Sequence, residues 1–244
     1  MPPSHAYLAG SLAILSGYCD VICLLRFRCF AALMTGNIVH IGIAISNWRD
    51  TEELMATLMF NGAVLASHAM AVFLFCAIAD CVSRPVQLAA PLLGCLTLVG
   101  GLVDGFTGNR WAACCLAASF GAMNFITSPN TVLEGRLLTM VSLATGNLQK
   151  SCKMLYKKLS GHSFSHVEVT ETQIALSVVG GTFIGAVLGG FAFAYTPLVS
   201  TPYLFVPLAL AQTIVLLMHD RLLRPSNSKL SPAMSSALSE PLAP

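Results

Sequence analysis

Hydrophobic residues run along most of this chain in long blocks, and polar residues punctuate them. Eight apolar elements can be read, over roughly 6–25, 29–46, 55–82, 86–107, 111–128, 134–150, 172–196 and 202–221. A helix crosses a bilayer in about 20 predominantly apolar residues, and most of the eight approach that length. After Arg224 the chain becomes Ser- and Pro-rich as far as Pro244. That composition cannot bury a core, so 225–244 is expected to be a disordered tail behind a single membrane domain over 1–224.

The blocks repeat. Met34-Thr35-Gly36-Asn37-Ile38 in the second element is matched by Ala144-Thr145-Gly146-Asn147-Leu148 in the sixth. Upstream, Gly17-Tyr18-Cys19-Asp20 is matched by Gly121-Ala122-Met123-Asn124. Further on, Gly62-Ala63-Val64-Leu65 aligns with Gly185-Ala186-Val187-Leu188, and Pro91 with Thr97 aligns with Pro207 with Thr213. Four matches in one order predict a duplication, with halves near 1–109 and 110–224.

Composition agrees with a membrane setting. Hydrophobic residues make up 55% and charged residues 10%, against roughly 25% charged in soluble domains. The mean hydropathy is +0.74. A formal net charge of +2 is too small to argue for a nucleic-acid partner. The start, Met1-Pro2-Pro3-Ser4-His5, has no Lys or Arg, so the first apolar run is expected to be a retained helix rather than a secretory signal. The nine cysteines lie mostly in apolar runs with no Cys-x-x-Cys pair, which fits small packing groups better than a metal or disulfide set.

Charge placement predicts topology, because cytoplasmic loops are rich in Lys and Arg. Lys150, Lys153, Lys157 and Lys158 follow the second Thr-Gly-Asn, and Arg221, Arg224 and Lys229 follow the last element. Asp50, Glu52 and Glu53 with Arg49 make an external loop. If the two Thr-Gly-Asn elements only re-enter, six spans remain, both termini and the Lys cluster are cytoplasmic, and the halves are inverted. Arg26 and Arg28 are then misplaced outside, unless they line an external vestibule. Eight spans is the alternative, since 29–46 is long enough to cross about 27 Å as a helix. The expected fold is therefore all-α, a polytopic membrane protein of about six transmembrane helices plus two broken or re-entrant Thr-Gly-Asn helices.

Ser16-Gly17-Tyr18-Cys19-Asp20, Phe30-Ala31-Ala32-Leu33-Met34-Thr35-Gly36-Asn37, Phe120-Gly121-Ala122-Met123-Asn124, and Thr139-Met140 followed by Ala144-Thr145-Gly146-Asn147-Leu148 carry a resemblance. On these residues the chain resembles the YoaK-like family of uncharacterised multi-pass membrane proteins over roughly 6–220. The resemblance implies six spans and no defined activity. Met123 departs from it, standing where the family pattern has Gln.

Several residues could carry chemistry. Asp20 is a carboxyl late in an apolar helix, where a charge is expensive; it reads as a coupling-ion, proton or solute contact, or else as an interfacial partner of Arg26. Asn124 is its repeat mate. Thr35, Gly36 and Asn37, and likewise Thr145, Gly146 and Asn147, can end one short helix and start another. The free N–H groups at such a break suit an anion, and in a membrane the break must face protein or a wet cavity. The competing reading is dry, Gly-mediated packing with Asn bridging spans. His40 lies near the face of Asn37. His68, His162, His166 and Asp104 are weaker candidates, and Thr107-Gly108-Asn109 reads as a turn.

No hydrolase, zincin or phosphate-loop signature is present, so the chain is not expected to be an enzyme, and no cofactor is implied. The expected partners are membrane lipid and an unknown small solute or ion, with a homo-oligomer left open and the plasma membrane the expected location. The function expected is passage of that solute. The alternative is a non-transporting assembly partner or lipid-binding scaffold.

Overall fold

Helix limits in this computed structural model follow from local chemistry that hydropathy does not register. The residues described are 4–46, 51–127, 144–160, 163 and 165–223. They form α1 (Ser4–Phe27), α2 (Met34–Ser46), α3 (Thr51–Cys81), α4 (Pro85–Thr107), α5 (Ala112–Ile126), α6 (Ala144–Leu159), α7 (His166–Tyr195), a 3-10 stretch (Leu198–Leu204) and α8 (Phe205–Leu223). Glu52 and Glu53 occupy the first turn of α3, where carboxylates favour the helix dipole. Pro85 opens α4, and Gly108 closes it at φ 60°, its N–H bonding Asp104 O at 2.7 Å. Thr107-Gly108-Asn109 is thus the expected turn, and Asn109 Oδ1 accepts from Trp111 N at 3.1 Å. Ser165 and Glu168 form a capping box that starts α7 well before its apolar part.

Among the described residues, five helices are long and apolar enough to cross a membrane: Ala6–Phe27, Thr51–Cys81, Pro85–Thr107, His166–Tyr195 and Ser200–Met218. Large apolar side chains such as Phe73, Phe106, Phe183 and Leu210 point outward, as lipid contact requires and water does not favour. The element expected over 111–128 is the 15-residue α5, shorter than a span. Of the sixth element, the described part, α6, runs from Ala144 through all four lysines to Leu159, while 134–143 lie outside the described residues. The first Thr-Gly-Asn does not interrupt a helix but forms the first turn of α2, and the second lies in the first described turn of α6.

The spans pack through small residues. α1 and α7 run parallel: the place a Cβ would take on Gly181 is 2.5 Å from Gly10 O, Gly185 abuts the Ile14 carbonyl, and Gly189 lies 2.7 Å from Tyr18 O by the same measure. α3 and α5 also run parallel, with Arg110 on Ala56 O at 3.2 Å, Gly121 against His68 O, and the Phe75 and Phe125 rings 6.0 Å apart. α4 and α8 run antiparallel, Gly94 facing Ala209 and Gly101 facing Phe205. α2 packs on α3, α6 on α7, α5 on α4 and α1 on α8. Without a hydrophobic drive between helices in lipid, such close backbone approach supplies the attraction.

Polar side chains hold specific crossings. Asp104, fully buried at the end of α4, is gripped by Arg26 of α1, whose Nε lies 3.2 Å from both oxygens and whose terminal nitrogen lies 3.0 Å from one. Arg26 therefore pairs with Asp104, not with Asp20. Thr97, Ser119 and Gln212 join α4, α5 and α8: the Thr97 hydroxyl donates to Gln212 Oε1 at 2.7 Å and the Ser119 hydroxyl to Leu93 O at 2.8 Å. Gln212 Nε2 reaches Met123 Sδ at 3.6 Å, so the residue that departs from the family pattern meets an amide here.

Two glycines on different helices sit on neighbouring carbonyls: Gly17 faces Thr182 O of α7, and Gly121 faces His68 O of α3. Gly62 has open space around it, whereas Gly185 is pressed on α1.

Candidate functional site

The chain between α1 and α2 is where the sequence motifs meet. α1 ends at Phe27, and Arg28 takes the left-handed conformation at φ 60° with its N–H on Leu24 O at 3.2 Å. Residues Cys29 to Leu33 then lead to α2. Asn37, in the first turn of α2, folds back on this loop. Its Oδ1 accepts from Phe30 N and its Nδ2 donates to Phe30 O, both at 2.8 Å. Gly36 is required beside it, because a Cβ there would collide with the Phe30 ring. Asp20, two turns before the end of α1, accepts from Ala32 N at 2.7 Å through Oδ1. From α5, Asn124 Nδ2 donates to Ala32 O at 3.3 Å. From α3, His68 lies beside the Ala31 backbone. Three helices thus bond a single loop through one polar side chain each, and a fourth brings His68 against it.

This clamp satisfies a physical demand. Irregular backbone at membrane depth has N–H and C=O groups that lipid cannot solvate, so protein must pair them. Two atoms of the cluster, Asn124 Oδ1 and His68 Nδ1, are buried with no hydrogen-bond partner. The nearby Cys29 is buried with a free thiol and serves as a small packing group.

The expected site residues divide accordingly. Asp20, Asn37 and Asn124 come together at the loop; Gly36 makes room for Phe30; Thr35 is exposed. His40 is half-buried, its ring 5.9 Å from that of Phe30. Asn147 is buried in α6 and Gly146 is exposed, while the Thr145 side chain lies outside the described residues. The expectation that Asn37 and Asn147 approach each other fails at the level of elements, because α2 and α6 do not pack together. Asn37 also spends both ends of its amide on Phe30, leaving neither for a cavity.

Instead, each Thr-Gly-Asn helix borders a polar cavity. The larger, about 320 Å³, lies where the C-terminal ends of α1 and α2 meet the N-terminal end of α3 and the start of α5. Arg28, His40, Glu53, Thr57, Asn61 and Arg110 give it its polar lining. Arg28 therefore does line a vestibule; Arg26 does not. The smaller, about 190 Å³, lies between α6 and α7 and is lined by Lys150, Lys153, Lys157, Glu168, Glu171 and Thr172. Lys157 and Glu168 form an ion pair across it. Because α7 runs parallel to α1 with Ser177 beside Gly10, this second cavity sits at the opposite end of the bundle from the first. Asn61 and Arg110 were not expected as site residues. The only signal for Asn61 was a lone amide in an apolar run.

A bundle of long apolar helices enclosing polar cavities and a clamped, irregular loop defines a multi-helix membrane protein. The chain belongs to the family described as protein of unknown function DUF1275, whose model matches residues 8–217. No curated protein and no solved structure matches it.

Proposed function

We propose that this protein passes a small solute or ion across a membrane through two inversely related halves. The observation that carries this reading is the pair of polar cavities, one beside each Thr-Gly-Asn helix, at opposite ends of the bundle. Aligning the tripeptides puts His40 of the first cavity on Lys150 of the second.

Packing supports the repeat. Exchanging α1 with α5, α2 with α6, α3 with α7 and α4 with α8 maps the α1/α7 contact onto α5/α3, α2/α3 onto α6/α7, and α4/α5 onto α8/α1. The α4/α8 contact maps onto itself. A two-fold axis that swaps two antiparallel helices is perpendicular to them, hence in the membrane plane, which is the signature of inverted repeats. In this reading α1 and α3 run in opposite directions, so α2 begins and ends on one side and only re-enters. Six spans follow, with α5 the short one. The Lys-rich cavity and both termini lie in the cytoplasm, and the Arg28 cavity faces outside the plasma membrane.

Asn37, Asn124 and His68 then act by holding the re-entrant loop, and Asp20 is the candidate coupling group on it. Asn147 is assigned the same holding role in the second half. The chemistry is passage, with no bond made or broken.

Two measurements test this. Single cysteines at Glu52 and Lys158 in a Cys-free background should label from opposite sides; labelling from the same side removes six spans. Proteoliposomes on a solid-supported membrane should give currents or pH changes on jumps of sodium, chloride, small carboxylates or amino acids. Folded protein that moves none of these faster than empty liposomes would refute passage and favour the scaffold reading.

A further inference from the structure

The cavity beside α2 has a chemistry that selects its ligand. Among the described residues that line it, two side chains are guanidiniums and one is a carboxylate, so cationic groups are in excess there. Arg110 is positioned: it stacks 4.6 Å over the Phe60 ring and donates to Ala56 O at 3.2 Å. Trp111 also meets Phe60, rings 5.6 Å apart and nearly perpendicular. The Arg28 guanidinium makes no hydrogen bond or ion pair with any described residue, although its backbone holds the left-handed conformation that suits glycine. A non-glycine residue there is strained by roughly 1 kcal/mol. The position presents a free planar cation where backbone economy would use glycine.

The third polar group differs in sign. Asn61 is 2% exposed and lines the cavity. Its Nδ2 is satisfied by Thr57 O at 3.1 Å, but its Oδ1 has no partner. A buried amide oxygen without a donor is costly, and a ligand N–H or O–H would remove that cost. The volume of about 320 Å³ is at the small end for ligand pockets.

We infer that the cavity between α1, α2, α3 and α5 binds a small organic carboxylate bearing a hydrogen-bond donor close to the carboxyl group. Arg28 and Arg110 take the carboxylate, which guanidinium geometry suits, and Asn61 Oδ1 accepts from the donor. The donor is a hydroxyl or an ammonium. This deepens the transport reading by naming the solute class at the outer cavity, but binding stands or falls on its own.

The test is binding to purified protein in detergent, by calorimetry and thermal shift, with lactate, alanine, propionate and phosphate as probes. Lactate or alanine should bind about tenfold or more tighter than propionate, the usual scale for one satisfied hydrogen bond. Asn61→Ala, which loses only a local helix bond, should bring that ligand to the propionate level. Arg28→Gln and Arg110→Gln should each weaken it by about tenfold or more, and Arg28→Lys should restore part. The inference is overturned if no carboxylate binds the folded protein at about 10 mM, a level far weaker than typical sites. It is equally overturned if the Arg28→Gln, Arg110→Gln double variant binds like wild type, if propionate matches lactate and alanine, or if phosphate outcompetes all three. Binding without flux in proteoliposomes would leave this site standing and sink passage. Flux of an unrelated solute with no carboxylate binding would do the reverse.

Discussion

Asn37→Ala is the sharpest probe of the loop clamp. The wild-type amide closes two hydrogen bonds of 2.8 Å on one residue, accepting from Phe30 N and donating to Phe30 O, and the side chain is fully buried. Truncation leaves both backbone groups without a partner. Each such group costs about 1–3 kcal/mol, so the loss is roughly 2–6 kcal/mol before relaxation, and we expect about 3. Asn37→Asp keeps the acceptor for Phe30 N but turns an oxygen toward Phe30 O, so it should fall at least as far. Thr35→Ala, exposed in the same turn, should stay within about 0.5 kcal/mol. Reversible unfolding in mixed micelles gives the three values. A second readout is local: a cysteine at Arg28 should label faster in the Asn37→Ala background, because the loop that begins there is released. If Asn37→Ala costs no more than Thr35→Ala, the clamp contributes nothing and the account of the Thr-Gly-Asn motif is wrong.

Other outcomes follow from the same structure. Arg26→Ala strands the buried Asp104 carboxylate and should cost about 3–5 kcal/mol, while the Arg26→Met, Asp104→Leu double variant should be less destabilised than that single change; additive losses would contradict the pairing. Gly185→Ala drives a Cβ into the Ile14 carbonyl and should loosen α1 from α7, whereas Gly62→Ala meets open space and should be neutral or gain up to about 1 kcal/mol from helix propensity. Equal effects at the two glycines would contradict this difference in packing, and thermal stability in detergent decides. Asp20→Asn keeps an oxygen for Ala32 N, so the protein should fold normally, while any proton or sodium dependence of flux flattens; an unchanged dependence would remove Asp20 from coupling.

Much of this protein was legible along the chain because hydropathy and helix punctuation are local properties. The all-helical membrane character, the turn at Thr107-Gly108-Asn109 and the presence of Asp20, Asn37 and Asn124 as polar groups inside apolar elements all came from residues read in order. The capping box at Ser165 and Glu168 was equally local; it was passed over because the first turns of α7 are polar and only later ones apolar. Three things belonged to tertiary structure alone. In lipid both faces of a helix are apolar, so periodicity does not say which face packs, and only the tertiary structure seats Gly17 on the Thr182 carbonyl of α7 and Gly121 on the His68 carbonyl of α3. The partners of Asp20, Asn37 and Asn124 are backbone groups of Phe30 and Ala32, and backbone has no sequence signature. The cavity beside α2 gathers Arg28, Asn61 and Arg110 from three segments far apart in the chain, and an isolated amide or guanidinium acquires meaning only when helix packing brings it beside the others.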